Sequence, residues 1–256
     1  MKDLSRQILV VLTTLATIVV NILANALPIN GLTTAEISNR FQVYFVPAGY
    51  VFSIWGLIYL GLLAYTIFQA LPAQRANGRL RATGWWVVLA NLANGVWIFL
   101  WHYERFVLTL AAMFLLLAAL IVVYLRLGTG KTAASAVETW AVRLPFSVYL
   151  GWITVATIAN VSAVLDYLQW NQWGISDGTW MIGILVIVVA LTVTMSFRHK
   201  DVAYAAVVLW ALAGIGVKFP HQGVVTAAIW QACGLIALSW IVILLARTRH
   251  YWIGGE

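Results

Sequence analysis

Aromatic and amide side chains recur at helical spacing inside three long apolar stretches. Phe52, Trp55 and Tyr59 follow i, i+3, i+7. Asn91, Asn94, Trp97 and Trp101 follow three- and four-residue steps, and Trp152, Ala156 and Asn160 follow i, i+4, i+8. On a helix each set shares one face. An indole offers a flat stacking surface and one N–H donor; an amide offers donors and an acceptor. Two readings follow. In one, the amides bond between membrane helices, at about 0.6–2 kcal/mol each, and the rings pack. In the other, rings and amides line a pocket for a flat aromatic molecule. Trp55, Trp97, Trp152, Trp210 and Trp230 lie deep in their stretches, where each N–H needs a partner or a cavity to face.

Other chemistry is sparse. His102, His199, His221 and His250 fall at span ends or in loops, read as solvated, without metal-ligand spacing. No metal site and no catalytic residue is assigned, and no Ser-His-Asp or Cys-His set stands out. Gly128-Thr129-Gly130-Lys131-Thr132 has half of a phosphate loop but lacks its first glycine, so it reads as a turn. Val122–Arg126 fits a loose cholesterol pattern, for which an interfacial Tyr124 and a snorkelling Arg126 suffice. Asn160-Val161-Ser162 is a glycosylation triplet buried within a span. The single Cys233 excludes an internal disulfide.

The elements that position these residues are membrane helices. The chain is 63% hydrophobic and 9% charged, against about 45–50% and about 25% for a soluble domain. Its apolar runs are long and continuous, unlike the roughly ten-residue alternating segments of a membrane barrel. The expected fold class is all-α, a polytopic transmembrane bundle of about eight spans. These are read at roughly 7–27, 48–71, 84–101, 106–126, 144–165, 179–197, 202–218 and 223–246; the seventh is short and contains Gly214 and Gly216. With a cytoplasmic N-terminus, the inside holds Lys2, Arg6, Arg75, Arg79, Arg81, Arg126, Lys131, Arg143, Arg198, Lys200, Arg247 and Arg249. The outside holds Arg40, Arg105 and Lys218, a split of 12 against 3. That asymmetry predicts N-in and C-in. The net charge of +7 thereby reflects topology, with no nucleic-acid partner.

Residues 1–26 also have the outline of a signal peptide, ending in Ala24-Asn25-Ala26. The run is long for that role, and Asn21 and Asn25 read as bundle contacts. In the first loop, Asn30-Gly31 marks a turn and Thr34-Ala35-Glu36 opens a short helix. The loop 166–178 carries Asp166, Asp177, Trp170 and Trp173 and no Lys or Arg, which predicts an outside position. The spans hold almost no ionisable residues, which argues against a proton or ion pump.

At the aromatic stripes the sequence resembles the translocator protein family, also called tryptophan-rich sensory or TspO/MBR proteins. Pro47-Ala48-Gly49-Tyr50-Val51-Phe52-Ser53-Ile54-Trp55-Gly56-Leu57-Ile58-Tyr59 is similar to that family's Pro-Pro-Gly-Trp-Val-Phe run ending in Trp and Leu-Tyr, with Ala48 for the second Pro, Tyr50 for the Trp and one residue fewer before Trp55. Asn94-Gly95-Val96-Trp97 resembles its Asn-x-x-Trp, and Trp152-Ile153-Thr154-Val155-Ala156-Thr157-Ile158-Ala159-Asn160 its Trp-x-x-x-Ala-Thr-x-x-Asn. Leu144-Pro145-Phe146 resembles the start of its fifth helix, a turn further from Trp152 than usual.

These motifs cover residues 1–175 and leave 176–256 as three additional helices and a short tail. The resemblance implies a five-helix membrane bundle that binds a porphyrin or other tetrapyrrole, with no required cofactor. By motif, Tyr50, Phe52, Trp55, Asn94, Trp97, Trp152, Ala156 and Asn160 would bind the ligand. The expected partners are a hydrophobic small molecule and the lipid bilayer, with oligomerisation open. The expected site of action is the prokaryotic cytoplasmic (inner) membrane. The leading role is sensor or carrier. A transporter of lipophilic or amphipathic molecules is the alternative, and a light- and oxygen-dependent tetrapyrrole-degrading enzyme the weaker one.

Overall fold

Long apolar runs bounded by capping residues give eight long helices. In this computed structural model residues 2–27 and 29–253 are described, without the side chains of Lys2, Leu244 and 246–253. Lys2, Arg247, Arg249 and His250 of the sequence reading therefore lie outside the described side chains. The helices are α1 (Lys2–Ala26), α2 (Ile54–Ala70, continuing a 3-10 turn Gly49–Ser53), α3 (Gly78–His102) and α4 (Phe106–Leu127). They continue as α5 (Leu144–Tyr167, entered through a π-helical turn Thr139–Arg143), α6 (Asp177–His199), α7 (Val202–Lys218) and α8 (Val224–Ile253). Asn77, Ser176 and Asp201 cap the starts of α3, α6 and α7 with their side chains. Gly128 ends α4 in the left-handed conformation. No strand occurs among the described residues.

Among the described residues, seven helical segments are long and apolar enough to cross a membrane: Asp3–Ala26, Gly49–Ala70, Gly78–His102, Phe106–Leu127, Ala136–Tyr167, Asp177–His199 and Val224–Ile243. The remaining apolar helix, α7, has 17 residues, roughly 25 Å. It nevertheless runs from one end of the bundle to the other. At its start His199 meets Thr129, and at its end Lys218 donates to Asn39 Oδ1 at 2.7 Å.

The first five helices close into a ring. α1 packs on α2 and α3, α3 on α4, α4 on α5, and α5 on α2. Helix α7 docks on α5, and α6 and α8 pack against α7 and each other. Most of α7 is buried by these neighbours. Its two glycines allow the close approach. The space where Gly214 would carry a side chain is filled by Val51, and a Cβ on Gly216 would come within 3.0 Å of the Trp230 indole. The Gly214 carbonyl accepts the Ala48 N–H at 3.2 Å, and the Trp210 indole donates to the Val51 carbonyl at 3.1 Å.

The two ends differ in charge. Arg6, Arg75, Arg79, Arg81, Arg126 and Arg143 lie at the N-terminal end, tied to loops there: Arg81 pairs with Asp3 at 2.6 Å, Arg79 with Glu138 at 2.7 Å, and Arg143 donates to the Thr132 carbonyl at 2.6 Å. Arg40 and Glu104 pair at the opposite end. The bond raises the Arg40 pKa above its ordinary value. The first loop folds over this end. Asn30 and Gly31 turn the chain at positive φ, and Thr34–Ser38 is a short helix in which Thr33 and Glu36 cap each other. Those bonds hold the Glu36 carboxyl below its ordinary range.

Three expectations are corrected. His102 and His199 are buried, not solvated: His102 bonds Thr34 Oγ1 and the Ile29 carbonyl, and His199 the Thr129 carbonyl. Each ties a loop to a helix end, where loop backbone supplies polar partners. Tyr124 is also buried rather than interfacial, because Asp201 at the start of α7 accepts its hydroxyl at 2.7 Å.

Gly214→Leu should force Val51 away and lower stability by about 1–3 kcal/mol. Gly183→Ala, with open space around it, should not. Thermal unfolding in detergent compares the two.

Candidate functional site

Helix α5 brings the aromatic stripes together. Its face bearing Trp152, Ala156 and Asn160 turns into the ring, towards Trp97 of α3 and the Phe52–Trp55 segment of α2. Two small adjoining cavities lie there. One, of about 40 Å³, is lined by Phe52, Trp97, Trp101, Trp152, Ala156 and Asn160 among others. The second, of about 30 Å³, shares Phe52, Trp97, Trp152 and Ala156 and adds Trp55 and Asn94. Seven of the eight motif residues thus line one interior. The rings meet edge to face: Phe52 and Trp55 approach Trp152 at 5.7 and 6.3 Å. Trp97 stacks on Trp101 at 5.3 Å.

Tyr50 is not in this group. It is 49% exposed and packs edge-on against Trp210 of α7 at 5.4 Å. The docked α7 holds the 47–51 segment from outside the ring and so turns Tyr50 away from the interior. Trp210 and Trp230, deep by sequence, likewise sit outside the ring, 40% and 48% exposed.

The two amides are already engaged. Asn94 accepts from Asn21 Nδ2 at 2.7 Å and donates to the Tyr149 hydroxyl at 2.9 Å. Asn160 accepts from the Trp97 indole at 3.0 Å and donates to Thr109 Oγ1 at 2.8 Å. These are cross-helix struts joining α1, α3, α4 and α5, the first of the two readings of the sequence. Asn91 serves likewise, donating to Thr14 Oγ1 at 2.9 Å.

Two donors differ. Trp152 is 3% exposed, and its indole N–H has no hydrogen-bond partner among the described residues. The buried Tyr59 hydroxyl is in the same position. Tyr59 lines a larger cleft of about 430 Å³ between α1 and α2, with Asn21, Ile22, Asn25, Thr34 and Trp55. Phe52, Trp55 and Thr34 are walls of both this cleft and the interior. The cleft therefore adjoins the aromatic interior from the side.

The family profile for TSPO-like protein matches residues 7–245. The chain belongs to the TSPO-like protein family. The match runs through α6, α7 and most of α8, beyond residue 175 where the motif resemblance stops. No curated protein and no solved structure matches. Helix count, apolar spans and family together make this TSPO-like chain an integral membrane protein.

Beyond the eight residues assigned to the ligand stand Trp101, Tyr59 and Thr34 on the cavity walls and Asn21, Thr109 and Tyr149 as amide partners. Trp101 and Tyr59 stand in register with the stripes and were legible by periodicity. Asn21 was read as a bundle contact from its place in the first span, Tyr149 lies one turn before Trp152 on α5, and Thr109 belongs to α4; only the packing reveals which amide each one meets.

Asn160→Leu should leave the Trp97 N–H unpaired and destabilise the protein by about 1–2 kcal/mol. Thermal unfolding would show this as a lower midpoint, and a midpoint at or above that of the parent would remove Asn160 from the struts.

Proposed function

We propose that this TSPO-like membrane protein binds a flat hydrophobic ligand, a porphyrin or other tetrapyrrole, as sensor or carrier. The observation that carries the reading is the Trp152 N–H, buried and unpaired in an aromatic interior. Buried donors in native proteins almost always have partners, and this one faces stacking surfaces suited to a conjugated ring. The Tyr59 hydroxyl marks a route to it from the α1–α2 cleft.

The interior spaces are far below the about 300–1,000 Å³ of a ligand pocket. A tetrapyrrole would therefore enter by parting α1 from α2, whose mutual packing is looser than that of α1 on α3. The ligand would come from the bilayer through the side cleft. In this reading residues 1–175 form the binding unit and 176–256 brace it through α7. We further infer eight crossings with both termini cytoplasmic, in a prokaryotic inner membrane, from the basic residues gathered at the N-terminal end.

Protoporphyrin IX should quench the tryptophan fluorescence of the purified protein saturably. Trp152→Phe keeps one aromatic ring but removes the N–H and the rest of the indole, so affinity should fall about five- to tenfold. Quenching that never saturates, or that Trp152→Phe and Tyr59→Phe leave unchanged, would mean partition into detergent.

Orientation has its own test. In a Cys233→Ser background, a membrane-impermeant maleimide applied to spheroplasts should label Leu168→Cys and spare Lys131→Cys. The reverse pattern would invert the topology.

A further inference from the structure

A cavity of about 450 Å³ lies outside the five-helix ring, at the end opposite the N-terminus. Helix α5 is its inner wall. Thr157, Ile158, Val161, Ser162 and Leu165 face this cleft, while Trp152, Ala156 and Asn160 of the same helix face the aromatic interior. Helix α6 supplies the opposite wall with Met181 and Ile184, and Val43–Phe45 of the first loop close one side. The additional helices thus create this cavity.

Its depth is apolar, but its mouth carries two carboxylates and a group of indoles. Asp166 is oriented by the Gln42 N–H on Oδ2 at 3.2 Å. Asp177 is oriented by Gln172 Nε2 on Oδ1 and sits in the first turn of α6. Trp170 and Trp180 line the cleft, and Trp173 packs against both, with ring centroids 5.2–5.7 Å apart. Among the described residues no basic side chain lines the cleft. The sequence holds no Lys or Arg between Arg143 and Arg198. At this end of the bundle Arg40 is paired with Glu104, and Lys218 donates to Asn39.

We propose that this cleft is a binding site for an amphipathic organic cation with a flat apolar body, such as a quaternary nitrogen heterocycle. The carboxylates supply the countercharge. Indole faces attract a cation further, and the Val161–Leu165 and Met181–Ile184 walls take the apolar body. The volume is that of a drug-sized ligand. A free cation fits better than a choline headgroup, whose phosphate would lie against the same two carboxylates. The site stands apart from the tetrapyrrole reading, because none of its lining residues borders the aromatic interior.

The test is equilibrium dialysis of tritiated 1-hexylquinolinium against the full chain in phosphatidylcholine nanodiscs, with empty nanodiscs subtracted. Saturable binding is expected, and 1-hexylnaphthalene, the neutral analogue, should bind at least tenfold more weakly. Asp166→Asn with Asp177→Asn keeps side-chain shape and should weaken the cation about tenfold. Trp152→Phe should leave cation affinity unchanged. Absence of saturable binding, equal affinity for the neutral analogue, or a loss below about threefold in the double variant overturns the proposal. The comparison of cation with neutral analogue uses the parent chain, so it holds even where the double variant fails to fold.

Discussion

In hydrocarbon a polar group without a partner costs several kcal/mol, because no water is present to take its place. That constraint organises the five-helix ring. Asn21, Asn94 and Tyr149 form one chain of bonds, and Trp97, Asn160 and Thr109 another. Each crosses from helix to helix at mid-bundle, and together they tie four of the five helices of the ring. The ring's remaining helix, α2, takes no part in these two chains. It meets α1 across the cleft and α5 through aromatic edges. Its polar ties to α1 lie at the N-terminal end, where Gln7 and Gln69 each donate to the other's carbonyl at 2.6 and 3.2 Å, away from the cleft beside the route to the interior.

Satisfied struts and unsatisfied donors divide the interior into two functions. Asn94 and Asn160 hold the frame. Trp152 and Tyr59 have bonding capacity left. The sequence pattern cannot make that division, since all four sit on the same stripes at the same spacing. Closed cavities of about 30 and 40 Å³ also mean that ligand capacity depends on motion between helices rather than on a standing hollow. Where packing is looser, between α1 and α2, that motion costs fewer contacts.

Helix number, boundaries and charge asymmetry were legible because lipid imposes long apolar runs and a sided distribution of Arg and Lys. The convergence of Phe52, Trp55, Trp97, Trp152 and Asn160 was legible from helical periodicity and the family motifs. What stayed hidden were contacts between distant segments. His102 and Tyr124 look like surface residues until Thr34 and Asp201 are seen beside them. Tyr50 looks like a pocket residue until α7 is docked. A helical wheel assigns a face but not the neighbour on that face.

The docking of α7 also accounts for two of the chain's departures from the family motif, the substitutions at Ala48 and Tyr50, but not for the residue missing before Trp55. The motif's second proline is replaced by Ala48, whose N–H donates to the Gly214 carbonyl at 3.2 Å. Proline has no N–H, so restoring it would forfeit this bond between the ring and α7. The next departure, Tyr50 for tryptophan, places a smaller ring edge-on against Trp210, whose indole donates to the neighbouring Val51 carbonyl. Both changes fall within the five residues that α7 touches. Trp97, Trp152 and Asn160, out of its reach, keep the motif's residue types. The two substitutions and the additional helices are therefore one structural feature: the segment that opens α2 serves here as the seat of a second helical layer.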